Sequence, residues 1–227
     1  MKTFTIIPAG GKGLRSGSSV PKQYLKFYEK ELIAYTIEIF QKSSLVDKII
    51  IAAEQNYHKR LFQIIKKYKL TKVSNIIESG ITRQESVFNC IKTINAEKND
   101  LVIVHDAARP LLTKTILNKA IKFAKEKGNA VVSIKAKDTL AKGNNTVNGY
   151  IKRKNVRYIQ TPQIFKYKDF VKAIKYAEEN NYSGTDESSL MKKIGKRIFL
   201  VNGSAINIKI TTKEDLQIFK TYIKSSI

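Results

Sequence analysis

The sequence predicts a three-layer, doubly wound α/β fold on a mostly parallel sheet. Three observations carry that prediction. Short β-branched runs alternate with amphipathic stretches from Thr3 to Ile134, the order that gives parallel sheets flanked by helices. Two of the runs, Lys48–Ala53 and Leu101–His105, are apolar enough to read as strands buried on both faces. A glycine-rich turn follows the first run, where open α/β sheets bind ligands.

The elements follow in order. Thr3–Ile7 reads as a strand that ends at Pro8, and Glu31–Gln41 as a helix. The strand Lys48–Ala53 precedes a helix over Tyr57–Lys69. Val73–Ile77 is a strand, and Thr82–Ile94 is a helix with Val87, Cys90, Ile91 and Ile94 on its apolar face. Leu101–His105 leads to a helix over Lys114–Lys127 and a strand over Ala130–Ile134. The rhythm breaks near Ala136. From there to Gln160 the chain is polar, with the turn-forming Gly143-Asn144-Asn145, and reads as a projecting β-arm. Tyr167–Asn180 and Glu187–Lys193 are helices, Ile198–Val201 and Ala205–Ile208 short strands. Thr212–Ser225 closes the chain as a helix, with Thr212 as its cap and Asp215 three residues on.

A length of 227 residues, 42% of them hydrophobic, suits one domain over 1–227, with 136–160 as its arm. No run of eighteen apolar residues exists, so no membrane partner is expected. The start, Met1-Lys2-Thr3-Phe4, runs straight into a strand and has no signal-peptide pattern. A cytoplasmic location is the expectation. The single cysteine, Cys90, fits it as a core thiol.

The net charge is +23, from 42 basic and 19 acidic residues. That raises nucleic-acid binding, but the lysines are spread along polar helix faces without an Arg-rich tail. Solvated faces are the better account, and no nucleic-acid partner is expected. Only seven basic residues are Arg, at 15, 60, 83, 109, 153, 157 and 197. A chain that uses Lys for plain charge keeps Arg where a planar donor fork is needed.

The first turn reads Pro8-Ala9-Gly10-Gly11-Lys12-Gly13-Leu14-Arg15, followed by Pro21-Lys22-Gln23. Glycines let the backbone approach a ligand, and successive N–H groups make an anion nest. The loop lacks the Gly-Lys-Ser/Thr ending of a Walker loop and the glycine spacing of a dinucleotide fingerprint. Arg15 and Lys22 beside the nest suit a triphosphate whose α-phosphorus is under attack.

With Pro21-Lys22-Gln23-Tyr24 after it, this loop resembles that of the CTP-dependent polyol-phosphate cytidylyltransferases, above all the 2-C-methyl-D-erythritol 4-phosphate group. Further matching blocks are Gly80-Ile81-Thr82-Arg83-Gln84-Glu85-Ser86-Val87, Val104–Pro110, Asp138-Thr139, Gln160–Gln163, Thr185-Asp186-Glu187 and Asn207–Thr211. They span essentially the whole chain, and ordered blocks are more specific than any single one. The resemblance implies a Rossmann-like, nucleotidyltransferase-type sheet. It also implies transfer of CMP from CTP to 2-C-methyl-D-erythritol 4-phosphate for isoprenoid precursors, with Mg²⁺ as cofactor and a homodimer formed through the arm.

The residues take parts accordingly. Arg15, Lys22 and Lys209 are the expected catalytic cations; for Lys209 the resemblance alone supplies the role, against the α-phosphate. Pro8, Ala9, Gly10, Gly11 and Gly13, with Gly80, Arg83 and Ser86 at a helix start, are the expected nucleotide site. The family's usual glycine before Gly80 is Ser79 here, which leaves the backbone path at that turn open. Asp106, at a strand's C-terminal end, is the expected Mg²⁺ ligand. Arg109, three residues on, can take a phosphate bidentately. By resemblance Asp106 also orients the acceptor, with Thr139 and Arg153 reaching it from a partner's arm and Thr161 nearby; Arg157, on the same stretch, stays open as the alternative to Arg153. Two other readings stay open: the same chemistry on ribitol phosphate, and a basic nucleic-acid-binding protein on the same fold.

Overall fold

The computed structural model describes residues 1–11 and 20–225. In chain order come β1 (Thr3–Pro8), a small hairpin of β2 (Lys26–Phe27) and β3 (Lys30–Glu31), α1 (Leu32–Gln41), β4 (Lys48–Ala53) and α2 (His58–Lys67). Next are β5 (Val73–Glu78), α3 (Arg83–Lys92), β6 (Leu101–Val104), α4 (Lys114–Lys127) and β7 (Asn129–Lys135). A second hairpin of β8 (Leu140–Gly143) and β9 (Val147–Ile151) precedes β10 (Arg157–Lys166), α5 (Tyr167–Glu179), α6 (Glu187–Lys193), β11 (Leu200–Asn202) and α7 (Lys213–Lys224).

The main sheet has seven strands in the order β11-β7-β10-β6-β1-β4-β5. All its pairings are parallel except those of β10, which runs antiparallel between β6 and β7. Alternation along each strand feeds two cores. Ile49, Ile51, Leu101 and Ile103 face α1, α2 and α4 through Ile37, Leu61 and Leu117. Ile50, Ala52, Val102 and Val104 face α3, α5 and α6 through Val87, Phe170 and Leu190. Ile103 is fully buried; trimming such a side chain to alanine costs about 2–5 kcal/mol. A third cluster joins the first hairpin to α7, through Phe27, Leu32, Ile210 and Phe219.

Helix ends follow their local chemistry. Thr82 caps α3 by accepting from Glu85 N–H at 3.1 Å. Asp186 caps α6 and Thr212 caps α7, each in a reciprocal capping box. Gly128 ends α4 at φ 90°, where a side chain would be strained. No helix among the described residues is long and apolar enough to cross a membrane.

The expected three-layer, mostly parallel architecture is present, with corrections at the edges. The stretch 136–160 is not all arm: its hairpin ends at Ile151, and Arg157–Gln160 already belongs to β10 in the main sheet. Pro162 hides this strand from a sequence reading, because proline argues against a central strand. The chain accommodates it in a register shift between Ile159 and Gln163. Ala205–Ile208 is not a strand; the chain from Gly203 to Thr211 has no regular secondary structure. The β2–β3 hairpin was not expected, since its turn uses Tyr28 and Glu29 at φ 48° and 62° in place of the usual Asn-Gly.

Candidate active site

Strand β1 lies between β4 and β6, so chain connections leave it in both directions and open a crevice beyond its C-terminal end. A cleft of about 490 Å³ sits there. Pro8, Gly10, Gly11, Lys22, Gly80, Arg83, Ser86, Asp106 and Lys209 line it, with Gln23, Ile81, Thr82, Ala107 and Ala108. Five separate sequence blocks thus meet at one place.

The first wall is the loop after β1. Ala9 N–H donates to Ala52 C=O at 2.7 Å, which holds the loop to β4. A Cβ on Gly10 would stand 2.4 Å from Ser79, so only glycine fits. The buried Gln23 amide donates to Ala9 C=O at 2.7 Å and Gly11 C=O at 2.9 Å, bracing the turn from beneath. Lys22 opens a 3₁₀ turn over Lys22–Tyr24. That turn is fixed by Tyr24, which is buried and stacked on Tyr57 at 4.4 Å, and by Arg60, which donates to Tyr24 C=O at 2.5 Å. Arg60 therefore has a supporting part at the cleft. Gly13 and Arg15 lie outside the described residues.

The second wall is the start of α3. Gly80 N–H donates to Ser86 Oγ at 3.1 Å, and Ser86 Oγ–H donates to Thr82 C=O at 2.9 Å. The Ser86 hydroxyl thereby shapes the Gly80 turn. A Cβ on Gly80 would meet that of Glu85 at 2.2 Å, so the turn tolerates no side chain.

Asp106 sits at the floor with its side chain 8% exposed. Oδ1 accepts from Arg83 Nε at 3.0 Å; Oδ2 accepts from Arg109 Nε at 3.1 Å and pairs with Lys209 Nζ at 3.2 Å. Burial alone would push this carboxyl up; Arg83, Lys209 and Arg109 together outweigh it and hold it well below the usual carboxylate range. Arg83 spans two carboxylates, since its Nη1 and Nη2 donate to Glu187 at 2.5 and 3.1 Å. Arg109 Nη1 also donates to Asn207 C=O at 2.8 Å. Ile210 N–H to Ala108 C=O at 2.8 Å fastens the segment that carries Lys209.

Beneath Asp106 a hydrogen-bond chain fixes a tautomer. Asp106 N–H donates to Thr161 Oγ1 at 3.2 Å, and because the Arg109 carbonyl can only accept from His105 Nε2, the neutral ring's Nδ1 accepts from the Thr161 hydroxyl at 2.9 Å. His105 Nε2–H then donates to Arg109 C=O at 3.1 Å. The ring is fully buried against Phe40, and burial lowers its pKa to about 4. His105 is thus a neutral brace.

Several expected roles shift accordingly. Arg83 lines the cleft but commits its fork to Asp106 and Glu187. Arg109 is tied to Asp106 and Asn207. Ala9 and Thr161 are buried and hold the site from behind. Thr139 and Arg153 are exposed and outside the cleft of their own chain; Arg153 donates to Lys137 C=O at 2.8 Å. Arg157 bonds Ser133 and Asn202 within the sheet. Cys90 is buried, its pKa pushed up to about 12, as a core thiol should be. The sequence reading passes over Gln23, Glu187 and Asn207. All three stand inside the matching blocks, but nothing in one sequence reveals contacts made across elements.

Magnesium does not fit Asp106 as the structure holds it. Both carboxylate oxygens already face cations, and a divalent ion would have to displace them. No group of three metal-ligating side chains occurs among the described residues.

Known proteins resemble this chain over nearly its whole length. The model of the family described as "IspD: 2-C-methyl-D-erythritol 4-phosphate cytidylyltransferase" matches residues 3–225. A 2-C-methyl-D-erythritol 4-phosphate cytidylyltransferase of Clostridioides difficile is 39% identical over 218 residues, covering 94% of this chain and 90% of its own. One of Clostridium acetobutylicum is 37% identical over 226 residues, covering 97% of each. The crystal structure of the Francisella tularensis cytidylyltransferase superposes with a TM-score of 0.84 at 30% identity, over the whole of both chains.

Proposed function

The chain belongs to the 2-C-methyl-D-erythritol 4-phosphate cytidylyltransferase family, and from that premise we infer how its cleft does the family's chemistry. It transfers CMP from CTP to 2-C-methyl-D-erythritol 4-phosphate, releasing pyrophosphate, in isoprenoid precursor synthesis. An oxygen of the acceptor phosphate attacks the α-phosphorus in line. The new O–P bond forms as the bond to the β-phosphate oxygen breaks, and the electron pair leaves with pyrophosphate. The acceptor oxygen is already anionic at neutral pH, so no general base is required. Catalysis is positioning and charge neutralisation.

The observation that supports this reading best is the meeting of Lys22 and Lys209 at a cleft whose floor is one ionised carboxylate, Asp106. In our proposal the Pro8–Gly11 backbone and the Gly80 turn receive the nucleotide. Lys22 and Lys209, with Arg15, meet the charge that builds on the α-phosphate. Asp106 keeps Lys209 and Arg109 in place rather than holding metal. Magnesium would be held by the oxygens of the triphosphate itself and would supply Lewis acidity there. Two copies pair through the β8–β9 hairpin, whose Val147 and Tyr150 are 59% and 72% exposed, and Thr139 and Arg153 reach the partner's acceptor. The enzyme works in the cytoplasm, where CTP is made.

The test is pyrophosphate release with each of four nucleoside triphosphates against methylerythritol phosphate and ribitol phosphate. CTP with methylerythritol phosphate should stand alone; comparable turnover with ribitol phosphate would overturn the acceptor assignment.

A further inference from the structure

Glu187 is charged, 2% exposed and set at the first turn of α6, away from the cleft surface. A carboxylate is costly to bury unless it is paired. Its partner is Arg83, which donates to Oε1 at 2.5 Å and to Oε2 at 3.1 Å, a bidentate grip. The same guanidinium turns its Nε to Asp106 Oδ1 at 3.0 Å. Arg83 thus has its plane fixed at both ends, and the Asp106 carboxylate inherits that orientation.

The surroundings keep Glu187 in place. Asp186 caps α6 by accepting from Ser189 N–H at 2.8 Å, and Gln163 of β10 binds both Asp186 Oδ2 and Ser188 N–H at 2.8 Å. Gln84, next to Arg83, accepts from Gly184 N–H at 2.9 Å and donates to Tyr182 C=O at 3.0 Å. The start of α3 is thus fastened to the loop before α6, and the start of α6 to β10.

We propose that Glu187 is a positioning residue for nucleotidyl transfer: acting through Arg83, it orients the Asp106 carboxylate, which in turn holds Lys209 at the reacting phosphate. This rests on the reading of the cleft given above. Without Glu187 the two outer nitrogens of Arg83 lose their partner, and the guanidinium is free to swing towards the anionic nucleotide or to draw Asp106 off Lys209. Binding of CTP through backbone amides does not depend on that geometry, whereas charge stabilisation in the transition state does.

The experiment compares wild type, Glu187→Gln and Glu187→Asp, each alone and combined with Asp106→Asn. Glu187→Gln should lower kcat by about 30-fold while CTP affinity, measured without acceptor, stays within about 3-fold. Glu187→Asp, which keeps the charge, should recover part of that loss. In the Asp106→Asn background the Glu187→Gln effect on kcat should fall below about 2-fold, because the group it positions is gone. A second readout needs no turnover: hydrogen exchange at Arg83 Nε–H, followed by NMR in the unliganded protein, should quicken by about 10-fold or more in Glu187→Gln. Urea midpoints are recorded for every variant, and Glu187→Asp carries the comparison where Glu187→Gln does not refold. An undiminished effect in the Asp106→Asn background, or parallel losses of CTP affinity and kcat, would overturn the proposal. Wild type that makes no CDP-product while Arg83 exchange still responds to Glu187 would instead sink the functional reading and leave the Glu187–Arg83 coupling standing.

Discussion

Lys209 Nζ stands 3.2 Å from Asp106 Oδ2, although Lys209 belongs to a segment with no regular secondary structure and Asp106 to the turn after β6. The pairing depends on anchors at both ends. Ile210, fully buried beside Phe27 and Phe219, fixes the lysine's segment, and the Thr161–His105 chain fixes the aspartate's backbone. A lysine 42% exposed on its side chain is thereby kept at the cleft by buried neighbours.

Replacing the carboxylate tests this directly. Asp106→Asn leaves Arg83, Arg109 and Lys209 without their common counter-ion, and the three cations should separate. Turnover in the pyrophosphate-release assay should fall by about 100-fold. The Mg²⁺ concentration giving half the maximal rate should stay within about 2-fold, since loss of a true ligand typically costs far more in metal affinity. A rise of tenfold or more in that concentration would return Asp106 to the metal.

Lys22 offers a second cut. Its 3₁₀ turn is held by Tyr24, Tyr57 and Arg60, so removing its side chain leaves the turn standing. Lys22→Ala should lower kcat by about 100- to 1,000-fold, with the acceptor KM changed by less than about 3-fold. Unchanged turnover would take Lys22 out of the catalytic set.

Much of this is legible in the sequence. The apolar runs at Lys48–Ala53 and Leu101–His105 announce buried parallel strands, the second of which ends one residue earlier, at Val104, and Thr212 with Asp215 announces the start of α7. The scarcity of arginine pointed to Arg83 and Arg109 as fork donors, and both make fork contacts, though to carboxylates and a carbonyl in place of ligand phosphates. What stayed hidden was long-range pairing. Strand β10 carries a proline, so its own composition argues against its central place. Glu187 meets Arg83, and Gln23 meets Ala9 and Gly11, only once separate elements have packed.

Acid should reveal the neutral brace under the site. His105 has a folded pKa of about 4, below the 6.5 of an exposed imidazole, because burial disfavours its charged form. As pH falls from 6.5 towards 4 the unfolded chain takes up a proton that the folded one refuses, so this group's contribution is full above 6.5 and lost below it. By pH 4.5 the loss amounts to about 2–3 kcal/mol. Urea unfolding at pH 7 and pH 4.5 should show wild type losing that much more stability than His105→Asn. Glu187, pushed up by burial, acts in the opposite sense, but it is common to both proteins and cancels. Equal losses in the two proteins would show that the ring protonates without penalty.

The arm can be tested by asking whether one subunit completes another. Arg153 lies outside the cleft of its own chain, while the neighbouring hairpin exposes Val147 and Tyr150. If a partner's Arg153 grips the acceptor, Arg153→Ala should raise the acceptor KM by about 10-fold or more and leave CTP affinity alone. Lys22→Ala damages the other half of the same site. Mixing the two weakened homodimers after mild dissociation makes heterodimers in which one of the two sites has both residues intact. Random exchange puts half the molecules in that form, so activity should climb to about a quarter of wild type. A site completed within one chain gains nothing from mixing, because every subunit then carries a defect. Sedimentation of the mixture establishes that exchange has taken place. Failure to regain activity after demonstrated exchange would move Arg153 out of the acceptor site and leave the arm as a contact between subunits alone.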